Sequence, residues 1–164
     1  MVREIQIAMA YEKLEHTPND ADVIKTYAQF SREIEIQFDT LPIDVEFVVE
    51  NPYETSKEMF ADIEYNNRLK VFSEGTPHSL MADVNLKFRA IHDYFGHYIG
   101  RNNFSYDGET KAYNQHRLMF STLAGRALFT ETIGQNSWFN FAPCNFGKPN
   151  NQKQFAEQKA GLII

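Results

Sequence analysis

The chain has 164 residues, 43% of them hydrophobic and 14% aromatic, which suffices for one folded domain around a single core and excludes a disordered chain. A formal net charge of -6 argues against a nucleic-acid-coating role, because phosphate binding needs clustered Lys and Arg. The one cysteine, Cys144, excludes an internal disulfide and thiolate metal sites, fits a reducing compartment, and leaves His and carboxylate as the ligands of any metal.

The start of the chain, Met1-Val2-Arg3-Glu4-Ile5, carries no signal-peptide pattern, and no apolar run approaches a membrane span. A soluble, cytoplasmic protein is therefore expected. Residues 3–15 suit a short helix, with Ile5, Ala8, Met9 and Glu12 about a turn apart. His16-Thr17-Pro18-Asn19-Asp20 breaks it, and Asn19 or Asp20 can cap the next helix. The clearest helical signal covers 21–40, where Val23, Tyr27, Phe30, Ile34, Phe38 and Leu41 form one apolar stripe. Pro42 stops it. Val45–Glu50 reads as a strand, Asn51-Pro52-Tyr53 as a turn, 57–64 as a helix capped by Ser56, and Arg68–Phe72 as a second strand. A loop over 73–78 leads to a central helix at 81–99, with Val84, Phe88, Ile91, Phe95 and Ile99 as its buried stripe. After a loop at 101–108, helices are expected from Glu109 to about Phe120 and from Ser121 or Thr122 to Ile133. The tail at 140–151, rich in Pro, Gly and Asn, reads as irregular cover over the site or a lid, and 152–160 as a closing helix. The fold class expected is α+β in a single domain, mainly helical with a small two- or three-stranded sheet.

Chemistry-bearing residues concentrate in 88–138. His92 and His97 are five positions apart, about 140° round an ideal helix, which does not put two ligands on one face. Both can hold one metal only if the helix ends or bulges near Gly96. Asp93, four residues before His97, can ligate or orient it. Glu109, Tyr113 and His116 fall along one helical face, an order that suits ligation or proton transfer and equally a solvated face. Glu131 shares an apolar face with Ala124, Ala127 and Leu128, where a carboxylate must bind a metal or pair with Arg126 or Arg117. Gln135-Asn136-Ser137-Trp138 comes after Gly134 at an expected helix end, where it can hold a small ligand or cap the helix. His16 and His78 read as ordinary surface residues in loops. Cys144 has no base arranged near it, and there is no phosphate-cradling Gly-rich loop or Gly-x-Ser-x-Gly turn.

Three resemblances attach to these motifs. The order His92-x4-His97, then Glu131 after Phe129-Thr130, resembles the Fe(II) site of aromatic amino acid hydroxylases, which implies a 2-His-1-carboxylate triad of His92, His97 and Glu131. The His92-Asp93 doublet resembles HD-type metal phosphohydrolases, which implies His78 and Asp107 as further ligands. A wider pattern includes Asn51-Pro52-Tyr53, Phe88–His97, Gly108-Glu109, Ala112-Tyr113, His116, Thr130-Glu131-Thr132, Gly134–Trp138 and Gln158–Leu162. It resembles a domain of bacteriophage and mobile-element proteins, and implies a phage origin rather than a reaction.

The function expected is a phage-type metal-dependent enzyme, oxygenase or hydrolase, with Fe(II) or Zn(II) on His92, His97 and Glu131. Glu109, His116 and Asp93 are then the acid–base or supporting groups, and Tyr113, Gln135, Asn136 and Trp138 the ligand-binding ones. Its substrate is a small molecule or peptide, and it acts in the host cytoplasm. The alternatives are an HD-type phosphohydrolase, or a non-catalytic virion component or host-protein binder with a structural polar cluster.

Overall fold

The amphipathic stretch after the first turn is the axis of the fold. In the computed structural model, which describes residues 2–75 and 77–163, it forms α2, Ala21–Phe38, behind a first helix α1, Val2–Glu12. Asp20 caps α2 by accepting the N–H groups of Asp22 and Val23 at 2.9 and 3.0 Å. Tyr27, Phe30 and Ile34 are fully buried, and pack with Phe88, Ile91, Ala127 and Leu128 into the main core. Each such side chain contributes about 1.5–3 kcal/mol by leaving water.

A smaller unit stands beside this body. Strand β1, Asp44–Val48, and strand β2, Arg68–Phe72, pair in parallel with Val45 opposite Leu69, and helix α3, Ser56–Asn66, connects them. They form the two-stranded sheet seen among the described residues. Met59, Ile63, Leu69 and Val71 make a second core against Ala90 and Tyr94 of the central helix. The cap of α3 is Thr55, not Ser56. The Thr55 hydroxyl accepts the Glu58 N–H, and the Glu58 carboxylate accepts the N–H groups of Thr55 and Glu54. Thr76, in the loop expected at 73–78, lies outside the described residues.

The central helix is α4, Asn85–Ile91, continued by a π-helical segment, His92–Tyr98. The extra residue in that turn rotates the chain beyond it, so Ile99 leaves the expected buried stripe and is 52% exposed. Helix α5, Tyr106–His116, starts three residues before its expected position, because Ser105 caps it through the Gly108 N–H; a 3₁₀ turn, Arg117–Met119, comes next. Helix α6, Thr122–Phe129, is capped by Ser121. It runs through a second π segment, Thr130–Gly134, into α7, Gln135–Phe141, so Gly134 does not end the helix.

No helix forms over 152–160, apart from a 3₁₀ turn at Asn150–Gln152. Tertiary bonds draw that backbone out straight: Asn145 takes both the N–H and the C=O of Gln154, and the Tyr11 hydroxyl donates to the Glu157 carbonyl. No helix of the described residues is long and apolar enough to cross a membrane.

Gly108 and Gly125 offer opposite tests of this packing. A Cβ at Gly108 would lie 2.0 Å from the Asn103 carbonyl oxygen, whereas one at Gly125 meets nothing within 4 Å. Gly108→Ala is expected to lower the thermal midpoint by several degrees. Gly125→Ala, mid-helix, should stabilise by roughly 0.5–1 kcal/mol. Equal midpoints for the two variants in thermal unfolding would contradict this placement.

Candidate metal centre

The π segment answers the spacing problem that His92 and His97 pose. The Ile99 N–H bonds the Tyr94 carbonyl and the Asn102 N–H bonds the His97 carbonyl, each at 2.9 Å and each five residues back. A turn closed at five residues stacks His92 and His97 on one face. Gly96 has a different role from the expected backbone freedom, for its conformation is helical. A Cβ there would come within 3.2 Å of the Ala112 Cβ and carbonyl, so Gly96 lets α5 approach closely. Glu109 and His116, on either side of Ala112, thereby both reach His92.

His92, His97 and Glu109 each present a ligand atom within 4.8 Å of the others, and form the group among the described residues that could hold a metal ion. Glu109 Oε2 lies 3.3 Å from His97 Nε2 and 3.6 Å from His92 Nε2. Both histidines are buried, while the Glu109 side chain stays 27% exposed.

Hydrogen-bond logic fixes the ring nitrogens. Gln37 Nε2 donates to the Met119 carbonyl at 3.2 Å, which turns Gln37 Oε1 toward His116 Nε2 at 2.8 Å. His116 Nε2 must then carry a proton, and its Nδ1 accepts from His92 Nδ1 at 3.2 Å. A metal would need the lone pair of a neutral His92 ring, and with Nδ1 donating to His116 that lone pair falls on Nε2, a buried atom with no hydrogen-bond partner among the described residues. His97 Nδ1 donates to the Asn102 carbonyl at 3.1 Å, which likewise leaves Nε2 toward Glu109. Such outer partners set the tautomer and direction of metal-binding imidazoles.

The charges are separated sharply. Burial pulls the His97 imidazole down, but the bond to Glu109 and its charge outweigh this and hold it at about 8. Burial pushes Glu109 up, yet His92 and His97 bring it to about 2, so His97 and Glu109 are an ion pair at neutral pH. Burial, with His92 and His97 beside it, keeps His116 neutral, well below the ordinary range. Burial raises Asp93 to about 6, against the pull of His97 and His92.

Glu131 is not part of this group. Its Oε1 accepts the Tyr27 hydroxyl at 2.5 Å and its Oε2 accepts Gln135 Nε2 at 2.6 Å; His78 Nε2 lies 3.5 Å from Oε1. Neither expected arginine pairs with it: Arg126 binds Asp22 at 2.8 Å, and Arg117 borders a separate cleft with Tyr113. Burial pushes Glu131 up to about 7, although Tyr27 and Gln135 oppose the rise.

A cleft of about 640 Å³ links the two acids, since His92, Asp93, Glu109, Glu131, Gln135 and Asn136 all line it. Other expected roles change with position. Asp93 faces this cleft and does not orient His97, a task that falls to the Asn102 carbonyl. His116 is buried behind His92 and orients it. Tyr113 points to the other cleft, packed edge-on against Phe129. Trp138 donates to the Glu12 carboxylate of α1, away from the centre. His78, expected on the surface, is fully buried and stacked on Tyr27 with centroids 4.8 Å apart. Asp107 is exposed and paired with Lys111, so the HD-type set does not assemble. The tail wall of the cleft is Phe155, Ala156 and Gln158 rather than 140–151. The residues missed were His78, Tyr27 and Gln37; of these only the polar Gln37 among the apolar positions of α2 offered a local signal.

Comparisons with protein-family models, curated proteins and solved structures find no match to this chain.

Glu131 gives the site a measurable pH signature. Its folded value, about 7, lies above the ordinary 4.5, so the folded state holds the proton longer and stability falls as pH rises from 4.5 through 7. Glu131→Gln removes this loss. Its unfolding free energy should gain on wild type across that window, by up to about 3 kcal/mol. Denaturant unfolding from pH 4.5 to 8 measures the difference, and a constant offset would refute the assignment.

Proposed function

We propose that the chain is a metal-dependent enzyme whose divalent ion, Fe(II) or Zn(II), is held by His92, His97 and Glu109. The observation that carries this reading is His92 Nε2, a buried nitrogen without a hydrogen-bond partner among the described residues, turned toward Glu109 by a chain of bonds running back to Gln37. Two imidazoles and one carboxylate suit either ion and leave further coordination positions free. When bound, the ion supplies a Lewis acid and activates a coordinated water or other small molecule.

The chain's own residues supply the rest. Gln37 and His116 aim His92, and Asn102 aims His97. Asp93, which lines the cleft beside His92 and Glu109, is placed to take a proton there. Glu131, held by Tyr27 and Gln135, keeps a proton at the cleft near neutral pH. Hydrolysis and oxygenation share this ligand set. The bacteriophage pattern adds a phage origin and action in the host cytoplasm on a small molecule or peptide. One observation favours a second reading, a structural cluster without catalysis: the His97–Glu109 ion pair satisfies both partners by itself.

Elemental analysis of protein purified without a metal-affinity tag separates the two. Near-stoichiometric iron or zinc is expected in wild type and none in His97→Ala. Gln37→Leu, which unties His116, should weaken metal affinity by about 10–100-fold. Wild type that takes up neither ion after reconstitution would overturn the enzyme reading and leave the ion pair as structure.

A further inference from the structure

We propose that the cleft beside the metal centre binds an uncharged ligand presenting an amide or lactam edge from a planar ring. This deepens the enzyme reading by naming the substrate class, and rests on it for where the reacting group would sit.

Charge comes first. The cleft is lined by Glu74, Asp93 and Glu109, with Arg89 as the cation among its described lining residues. Arg89 Nη1 donates to the carbonyls of Phe72 and Glu74, at 2.8 and 3.0 Å, which ties that corner of the guanidinium to the wall. A divalent ion on the histidines would be offset by Glu109 and Asp93. With Glu109 paired to His97, Asp93 and Glu74 still outnumber the Arg89 guanidinium along the lining, so an anionic ligand meets net repulsion and a neutral one does not.

The polar wall then sets the edge of the ligand. Asn136 Oδ1 accepts from Asn140 Nδ2 at 2.8 Å, which fixes the orientation of its amide. Its Nδ2 is left buried with no partner among the described residues, a donor that calls for a carbonyl oxygen. Nearby on the same wall Gln135 and Gln158 exchange two amide bonds, at 3.3 and 3.2 Å, and Gln135 also donates to Glu131. The wall thus already holds one amide against another, and alternates donors and acceptors as a –CO–NH– edge does. The body of the ligand has an aromatic surface to lie on. Phe155 is 87% exposed and stacks on Phe139 with centroids 5.4 Å apart, and both rings border the cleft.

The test titrates benzamide and benzoate into the ¹⁵N-labelled protein, metal-free and zinc-loaded, and tracks the side-chain amide resonances. Benzamide is expected to shift those of Gln135, Asn136 and Gln158, with benzoate at least tenfold weaker on the metal-free protein. Asn136→Leu should weaken benzamide about fivefold by removing one hydrogen bond. Phe155→Ala should weaken it in the same direction, and its ring is too exposed for the change to disturb folding. Benzoate binding as tightly as benzamide on the metal-free protein, or no benzamide shift at these amides, overturns the proposal. Benzamide shifts in a protein that takes up no metal would uphold the subsite and sink the metal centre. Bound metal without benzamide shifts would do the reverse.

Discussion

A helix closed every five residues instead of every four brings His92 and His97 to one face, and the rest of the centre is built on that offset. Such five-residue closures are rare inside helices, and this one has support. Asn102 provides it twice, its side-chain amide donating to the Gly96 carbonyl and its own carbonyl receiving His97 Nδ1. It can fold back this way because Arg101 takes the left-handed conformation, at φ 53°, and ends the helix. The close contact of Gly96 with Ala112 then delivers Glu109 and His116 from α5.

The two glutamates of the cleft show how environment divides identical groups. Glu109 sits between two imidazoles and remains charged; Glu131 sits deeper, with a phenol, an amide and the His78 imidazole, whose pKa burial lowers, and holds its proton to near neutrality. Each is tied to a different part of the fold. Glu109 belongs to the π segment and α5, Glu131 to α2 and the extended strap at 157–163. One cleft therefore joins a side whose residues could hold an ion to a side that holds a proton.

Much of the scaffold was legible in local pattern. The period of Val23, Tyr27, Phe30 and Ile34 marked α2, and the β-branched run at Val45–Glu50 marked β1, which forms over Asp44–Val48. The His92–His97 pair and the need for a distorted turn between them could be read from spacing alone, as could the shared face of Glu109 and His116. What escaped reading depends on contacts distant in sequence. Glu131 looked like a third ligand because its partner Tyr27 lies 104 residues away. His78, in its expected loop, looked like a surface residue because nothing local announces that Tyr27 stacks on it. The span 152–160 has helical composition, but bonds from Tyr11 and Asn145 hold it extended, so tertiary contacts override propensity.

The strap also orders events during synthesis. The Tyr27 hydroxyl, bonded to Glu131, also lies 3.2 Å from the Gly161 carbonyl across 134 residues, and His78 reaches the Lys159 carbonyl across 81. A ribosome extending the chain at about 5–20 residues per second completes α2 well before it completes this strap. During that interval the phenol and the imidazole lack the carbonyls that later adjoin them, and the apolar side of α2 has yet to meet Ala160 and Leu162. The nascent chain thus passes through a stage with its most polar interior open, when contacts of long sequence separation have still to form. The Glu131 side of the cleft can close only once the segment around Gly161 has been made, after the helices that carry the histidines.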